Sequence, residues 1–136
     1  MLDLDLYEAK KLYPFQEKTV NQVLDELRKN GSNFNLLYQL PTGGGKTVIF
    51  SAIAKRYVEE SGKNVLILTH RIELSIQTSK QLSAIQVPNK VINSEVKTLE
   101  DQAEYTCFIA MVETLNNRLN ENDQFIENVG LVIVDE

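Results

Sequence analysis

With 136 residues, 43% of them hydrophobic and 24% charged, the chain has the size and balance of one globular domain with a single core. No apolar run approaches the roughly 20 residues that cross a bilayer, and the acidic start Met1-Leu2-Asp3-Leu4-Asp5-Leu6 is not a signal peptide. One cysteine and one histidine are too few for a disulfide framework or a zinc site and fit a reducing cytoplasm, while the net charge of −5 weighs mildly against a polyanion-binding face.

Residues 1–13 read as an amphipathic lead-in. Pro14 suits the first turn of a helix, and Val20, Val23, Leu24 and Leu27 recur at helical spacing up to Lys29, with Asn30-Gly31 as a stop. A strand is expected near 34–39, then the loop Leu40-Pro41-Thr42-Gly43-Gly44-Gly45-Lys46-Thr47. A helix near 46–60 follows, with Ile49, Ile53, Ala54 and Tyr57 on one face and Gly62 as its end. The continuous apolar run Asn64–Thr69 predicts a strand buried on both faces of a parallel sheet. A helix from Ile72 to Ala84 comes next, then a short strand over Lys90–Asn93 and a polar, irregular crossover over 94–104. Tyr105–Met111 predicts another strand, Glu113–Asn120 a short helix, and Leu131–Val134 a last buried strand closing in Asp135-Glu136. Alternating strands and helices imply right-handed crossovers and an α/β fold, a mostly parallel sheet flanked by helices. Ligands of such sheets bind beyond the carboxyl ends of the strands, where both the glycine loop and Asp135-Glu136 fall.

The loop carries the chemistry. Glycines at Gly43, Gly44 and Gly45 let backbone N–H groups approach phosphate oxygens, and the helix that follows adds its positive end. In that role Lys46 supplies a charge toward the β- and γ-phosphates and the Thr47 hydroxyl a ligand for Mg²⁺, so ATP or GTP is indicated. At the other strand end, Asp135 can complete the metal site through water, and Glu136 can take a proton from the attacking water. The plain alternatives are a flexible turn and two acids that simply end a core strand. The general phosphate-loop pattern has glycine where this chain has Leu40, which counts against a kinase-like or GTPase-like loop.

Pro41-Thr42-Gly43-Gly44-Gly45-Lys46-Thr47 resembles motif I of superfamily 2 helicases, where that first position is often not glycine. Leu12-Tyr13-Pro14-Phe15-Gln16 resembles the motif ahead of the loop in these enzymes, whose glutamine reads the adenine edge. Many relatives carry arginine at the position of Tyr13. His70-Arg71-Ile72-Glu73-Leu74-Ser75-Ile76-Gln77 resembles motif Ia of the branch that includes type I and type III restriction translocases and DNA-repair helicases. Met111-Val112-Glu113-Thr114-Leu115 resembles the next strand-binding motif, usually with glutamine in place of Glu113, and Asp135-Glu136 the first half of a DExH or DEAD box.

The resemblance covers nearly the whole chain and implies a RecA-like ATP-binding domain. Its nucleotide would lie on Gln16, Pro41, Thr42, Gly43, Gly44, Gly45, Lys46 and Thr47, its Mg²⁺ on Thr47 and Asp135, and its catalytic groups would be Lys46 and Glu136. Nucleic acid would lie along His70, Arg71 and Thr114, with DNA favoured over RNA. Plainer roles stand beside these: Gln16 as a solvated helix position, His70-Arg71 as a polar helix start, Thr114 as a helix cap, Cys107 as a small core residue. In the resembled family the second RecA-like domain supplies the arginine finger, so residues 1–136 are expected to be a partial first domain, truncated and nearly inactive alone. A phosphotransferase of the P-loop type and a non-catalytic nucleotide-responsive module are the other function classes these residues allow.

Overall fold

The computed structural model describes residues 12–30, 36, 45–93, 95–96, 99, 101–121 and 125–135. The lead-in over 1–11, all but residue 36 of the strand expected at 34–39, the loop residues Leu40 to Gly44, and Glu136 lie outside the described residues.

Helix α1 runs Pro14–Asn30, with Glu17 in its first turn and Arg28 and Lys29 in its last, as the helix dipole favours. Helix α2, Lys46–Ser61, is bounded by two left-handed glycines, Gly45 at φ 74° and Gly62 at φ 71°. The Gly62 N–H donates to Val58 O at 3.0 Å and closes the helix. Strand β1, Asn64–Thr69, leads into α3, Ile72–Ala84. Strand β2 covers Asn89–Ile92, one residue earlier than expected, because the Asn89 side chain accepts from Ser79 Oγ at 2.6 Å and donates to Val87 O at 2.9 Å.

The crossover that follows contains a 3-10 turn at Gln102–Glu104. Strand β3 is Cys107–Met111 and passes straight into α4, Val112–Glu121. It begins two residues later than expected because the Thr106 and Cys107 N–H groups both turn to Pro88 O. Strand β4 is Val129–Val134.

The four strands are parallel, in the order β2-β3-β1-β4. The central β1 alternates between two cores, as a period of two requires. Val65 and Ile67 face Phe50, Ala54, Leu82 and Ile109, and Leu66 faces Phe108, Ala110, Leu115 and Phe125. An outer layer forms where Val20 and Leu24 of α1 meet Ile49 and Ile53 of α2. Among the described residues no helix is long and apolar enough to cross a membrane.

The last strand departs from expectation. Leu131 and Ile133 pack against α1 and α2, but Val132 and Val134 remain 49% and 55% exposed on the opposite face. Among the described residues β4 pairs only with β1, so nothing there covers that face. At Gly130 an added Cβ would stand 2.4 Å from Tyr57 Oη and 2.9 Å from Lys63 Cβ, so the strand passes beneath α2 only as glycine.

Candidate nucleotide-binding site

Because the four described strands are parallel, their carboxyl ends meet at one edge of the sheet. The register places Thr69 beside Met111 and Leu68 beside Val134, which brings the 70–71 turn, the start of α4 and Asp135 into one row. The α2 amino terminus stands over this row through Lys46, whose Nζ lies 3.4 Å from Asp135 Oδ1. Two residues singled out by separate sequence signals are thus in contact.

The start of α2 suits an anion. Its cap residue, Gly45, offers no side chain to the first-turn N–H groups, and the first turn holds no acidic residue. Gly45 also faces Gln16: a Cβ at Gly45 would sit 2.3 Å from Gln16 Nε2. Gln16 is only 4% exposed, and its Oε1 accepts the Tyr13 N–H at 2.8 Å. The plain alternative of a solvated Gln16 is therefore overturned, because the side chain is pressed between the start of its own helix and the glycine that opens the next. Tyr13 and Phe15, flanking Pro14, are exposed and stack on each other with ring centroids 6.3 Å apart.

Asp135 is fixed through its backbone as well as its carboxylate. Its N–H donates to Leu68 O at 2.9 Å, and its carbonyl lies 3.4 Å from His70 Nδ1. The carboxylate is buried, at 7% side-chain exposure, against a Lys46 that is 46% exposed. At 3.4 Å this pair is looser than the 2.7–2.9 Å of a good charge-assisted bond. It is an arrangement that a stronger competitor can open.

In the turn after β1, Arg71 caps α3 with extended backbone and no side-chain cap, and His70 and Arg71 are both exposed. The turn is held from within, since Thr69 Oγ1 lies 2.7 Å from Ser75 Oγ and donates to Arg71 O at 3.3 Å. Both hydroxyl residues are buried. Ser75 lies on the inward face of α3 with Thr78 and Leu82 at helical spacing, a signal already present in the sequence. Thr114 is not a cap. Helix α4 starts at Val112 directly from β3, which leaves Thr114 half-buried inside the first turn.

The residues present fit a magnesium nucleotide. A glycine with no room for a Cβ, a helix start without acidic neighbours, a lysine and a buried carboxylate form a cation- and phosphate-compatible donor set. Among the described residues no group of three or more His, Cys, Asp or Glu gathers to hold a metal without such a ligand. Cys107 is fully buried in β3, and burial pushes its thiol up to about 12, so it is inert packing.

Comparison with known proteins agrees with this geometry. The family described as type III restriction enzyme, res subunit, matches residues 9–136. A putative ATP-dependent helicase of Saccharomyces cerevisiae, IRC3, is 32% identical over 137 residues, which cover 96% of this chain and 19% of the yeast protein. The chain thus spans about a fifth of the length of that curated relative. The UvsW helicase from bacteriophage T4 superposes with a TM-score of 0.56 at 16% identity, covering 100% of this chain and 55% of that one. The ATP-dependent type ISP restriction-modification enzyme LlaBIII, solved bound to DNA, gives a TM-score of 0.52 at 15% identity over 93% of this chain and 9% of its own. At those identities the two structures establish a shared fold.

Proposed function

Since the chain belongs to the family of the type III restriction enzyme res subunit, we propose that it is the ATP-binding part of a helicase or translocase that moves on nucleic acid. The observation that carries this reading is the meeting of Lys46 and Asp135 at the carboxyl edge of a parallel sheet.

In this reading Gln16 reads the adenine edge, its amide offering a donor and an acceptor together. Pro41, Thr42, Gly43, Gly44 and Gly45 form the phosphate cradle, and Lys46 leaves Asp135 to neutralise the β- and γ-phosphates. Thr47 and Asp135 would hold Mg²⁺, and that ion would supply the positive charge that the triphosphate needs in the transition state. Glu136 accepts the proton of the attacking water. His70, Arg71 and Thr114 face the nucleic-acid backbone, and the His70-Arg71-x-Glu73-Leu74 pattern favours DNA. A cytoplasmic setting belongs to the same proposal, supported by the single buried thiol.

Residues 1–136 alone are expected to turn ATP over slowly. An arginine finger contributes about three to five orders of magnitude in related phosphoryl transfer. Of the chain's four arginines, Arg28 is held by Asp25 and Glu60, Arg56 by Glu17 and Asn21, and Arg118 by Val96 O. The fourth, Arg71, is exposed at the start of α3, where this proposal places nucleic acid.

Calorimetric titration with Mg-ATP tests the proposal. Lys46→Ala should weaken binding by about 10- to 100-fold, the value of one lost hydrogen bond to a charged group. Equal affinity in wild type and Lys46→Ala would refute it. Transfer of phosphate to an acceptor other than water would favour the phosphotransferase class instead.

A further inference from the structure

We infer that His70 is a positioning residue that ties the turn carrying Arg71 to the Asp135 end of the nucleotide site; this rests on the function proposed above. Asp135 has both halves of its peptide environment set by one short segment. Its N–H bonds to Leu68 O at 2.9 Å, and its carbonyl faces the Nδ1 of His70 at 3.4 Å. Its carboxylate meanwhile faces Lys46. Residues 68 and 70 therefore bracket the residue that answers to the nucleotide.

The same segment cannot yield independently of α3. Thr69 points inward and is locked to Ser75 Oγ and Arg71 O, both within the first turn of that helix or its cap. Any displacement of Asp135 when a ligand alters its contact with Lys46 would be passed by His70 to the turn that carries Arg71. This is a contiguous chain of bonded groups between the two proposed ligand sites, a route along which coupling can be carried. The alternative is that His70 is an exposed polar tip whose ring happens to lie near a strand end. The two differ in tautomer: the positioning role requires a proton on Nδ1, donated to the Asp135 carbonyl.

The chain contains one histidine, so its imidazole signals belong to His70 without further assignment. Long-range proton–nitrogen spectra of the full chain should show a protonated Nδ1, and signals that move on adding Mg-ADP and again on adding single-stranded oligo(dT). The factor by which each ligand alters the other's affinity should fall toward one in His70→Ala and be retained in His70→Asn, whose amide N–H can occupy the Nδ1 position. A bare Nδ1, imidazole signals indifferent to bound Mg-ADP, or an unchanged coupling factor in His70→Ala would overturn the inference while leaving the nucleotide site intact. Failure of wild type to bind Mg-ADP would instead overturn the proposed function, and this inference with it.

Discussion

Gly45 is the position where the site is least tolerant. Its φ of 74° disfavours any side chain, by about 1–2 kcal/mol for the left-handed region. Its missing Cβ is also the space that Gln16 Nε2 occupies. Gly45→Ala should therefore destabilise the fold, measured by urea unfolding. Adding Gln16→Ala should recover the contact part and leave the backbone part, so that the two changes are not additive. Cys107 offers a pH test with a definite sign. Its thiol titrates at an ordinary 9.0 when unfolded and is pushed to about 12 when buried. Between those values the folded state keeps a proton that the unfolded state has released. The contribution is complete below pH 9 and is lost by about 1.4 kcal/mol per pH unit as pH rises toward 12. Comparing wild type with Cys107→Ala across that range isolates it. If the stability gap between them stays constant from pH 9 to 11, the assignment fails.

At the level of elements, the turn between β1 and α3 depends on one buried pair of hydroxyls. Thr69→Val leaves Ser75 Oγ without that partner, and Ser75→Ala does the same to Thr69. Each should cost about 1–3 kcal/mol in chemical denaturation, and the double change less than the sum. The bounds of β1 and α3 were legible residue for residue. A continuous apolar run announces the strand, and the polar turn after it and the Pro88 beyond confine the helix. The glycines around α2 were equally legible, since left-handed ends need them. The burial of Gln16 was not, because it arises from Gly45, far along the chain, and leaves no mark in local periodicity. Nor was the exposed face of β4 legible, since four apolar residues in a row look the same whether one side is covered or both. The alternative of Thr114 as a helix cap failed for a related reason. A strand that enters a helix without a loop has no cap residue to announce it.

At the level of the molecule, the exposed Val132 and Val134 lie two residues apart on one face, where they add an apolar stripe to the margin of the described sheet. Replacing both by threonine should change folding stability by no more than about 0.5 kcal/mol, while lowering concentration-dependent light scattering. Unchanged scattering would show that self-association, where present, uses another surface. The outer layer behaves differently, because α1 and α2 are bound by polar as well as apolar contacts. Arg56 bridges to Glu17 at 2.7 Å and to Asn21 at 3.0 Å, and Arg28 to Glu60. These pairs join the helix that carries Gln16 to the helix that Gly45 opens, so the Gln16–Gly45 contact is kept by a helix pair rather than by the sheet. The Lys46–Asp135 contact has a consequence in time. Its partners come from the second helix and from the end of β4, far apart in the chain, so the contact can close only after β4 has docked on β1. In the proposed reading, a nucleotide that needs both groups acts only after that docking. Under that proposal ATP would stabilise the docked strands without guiding the steps that bring them together.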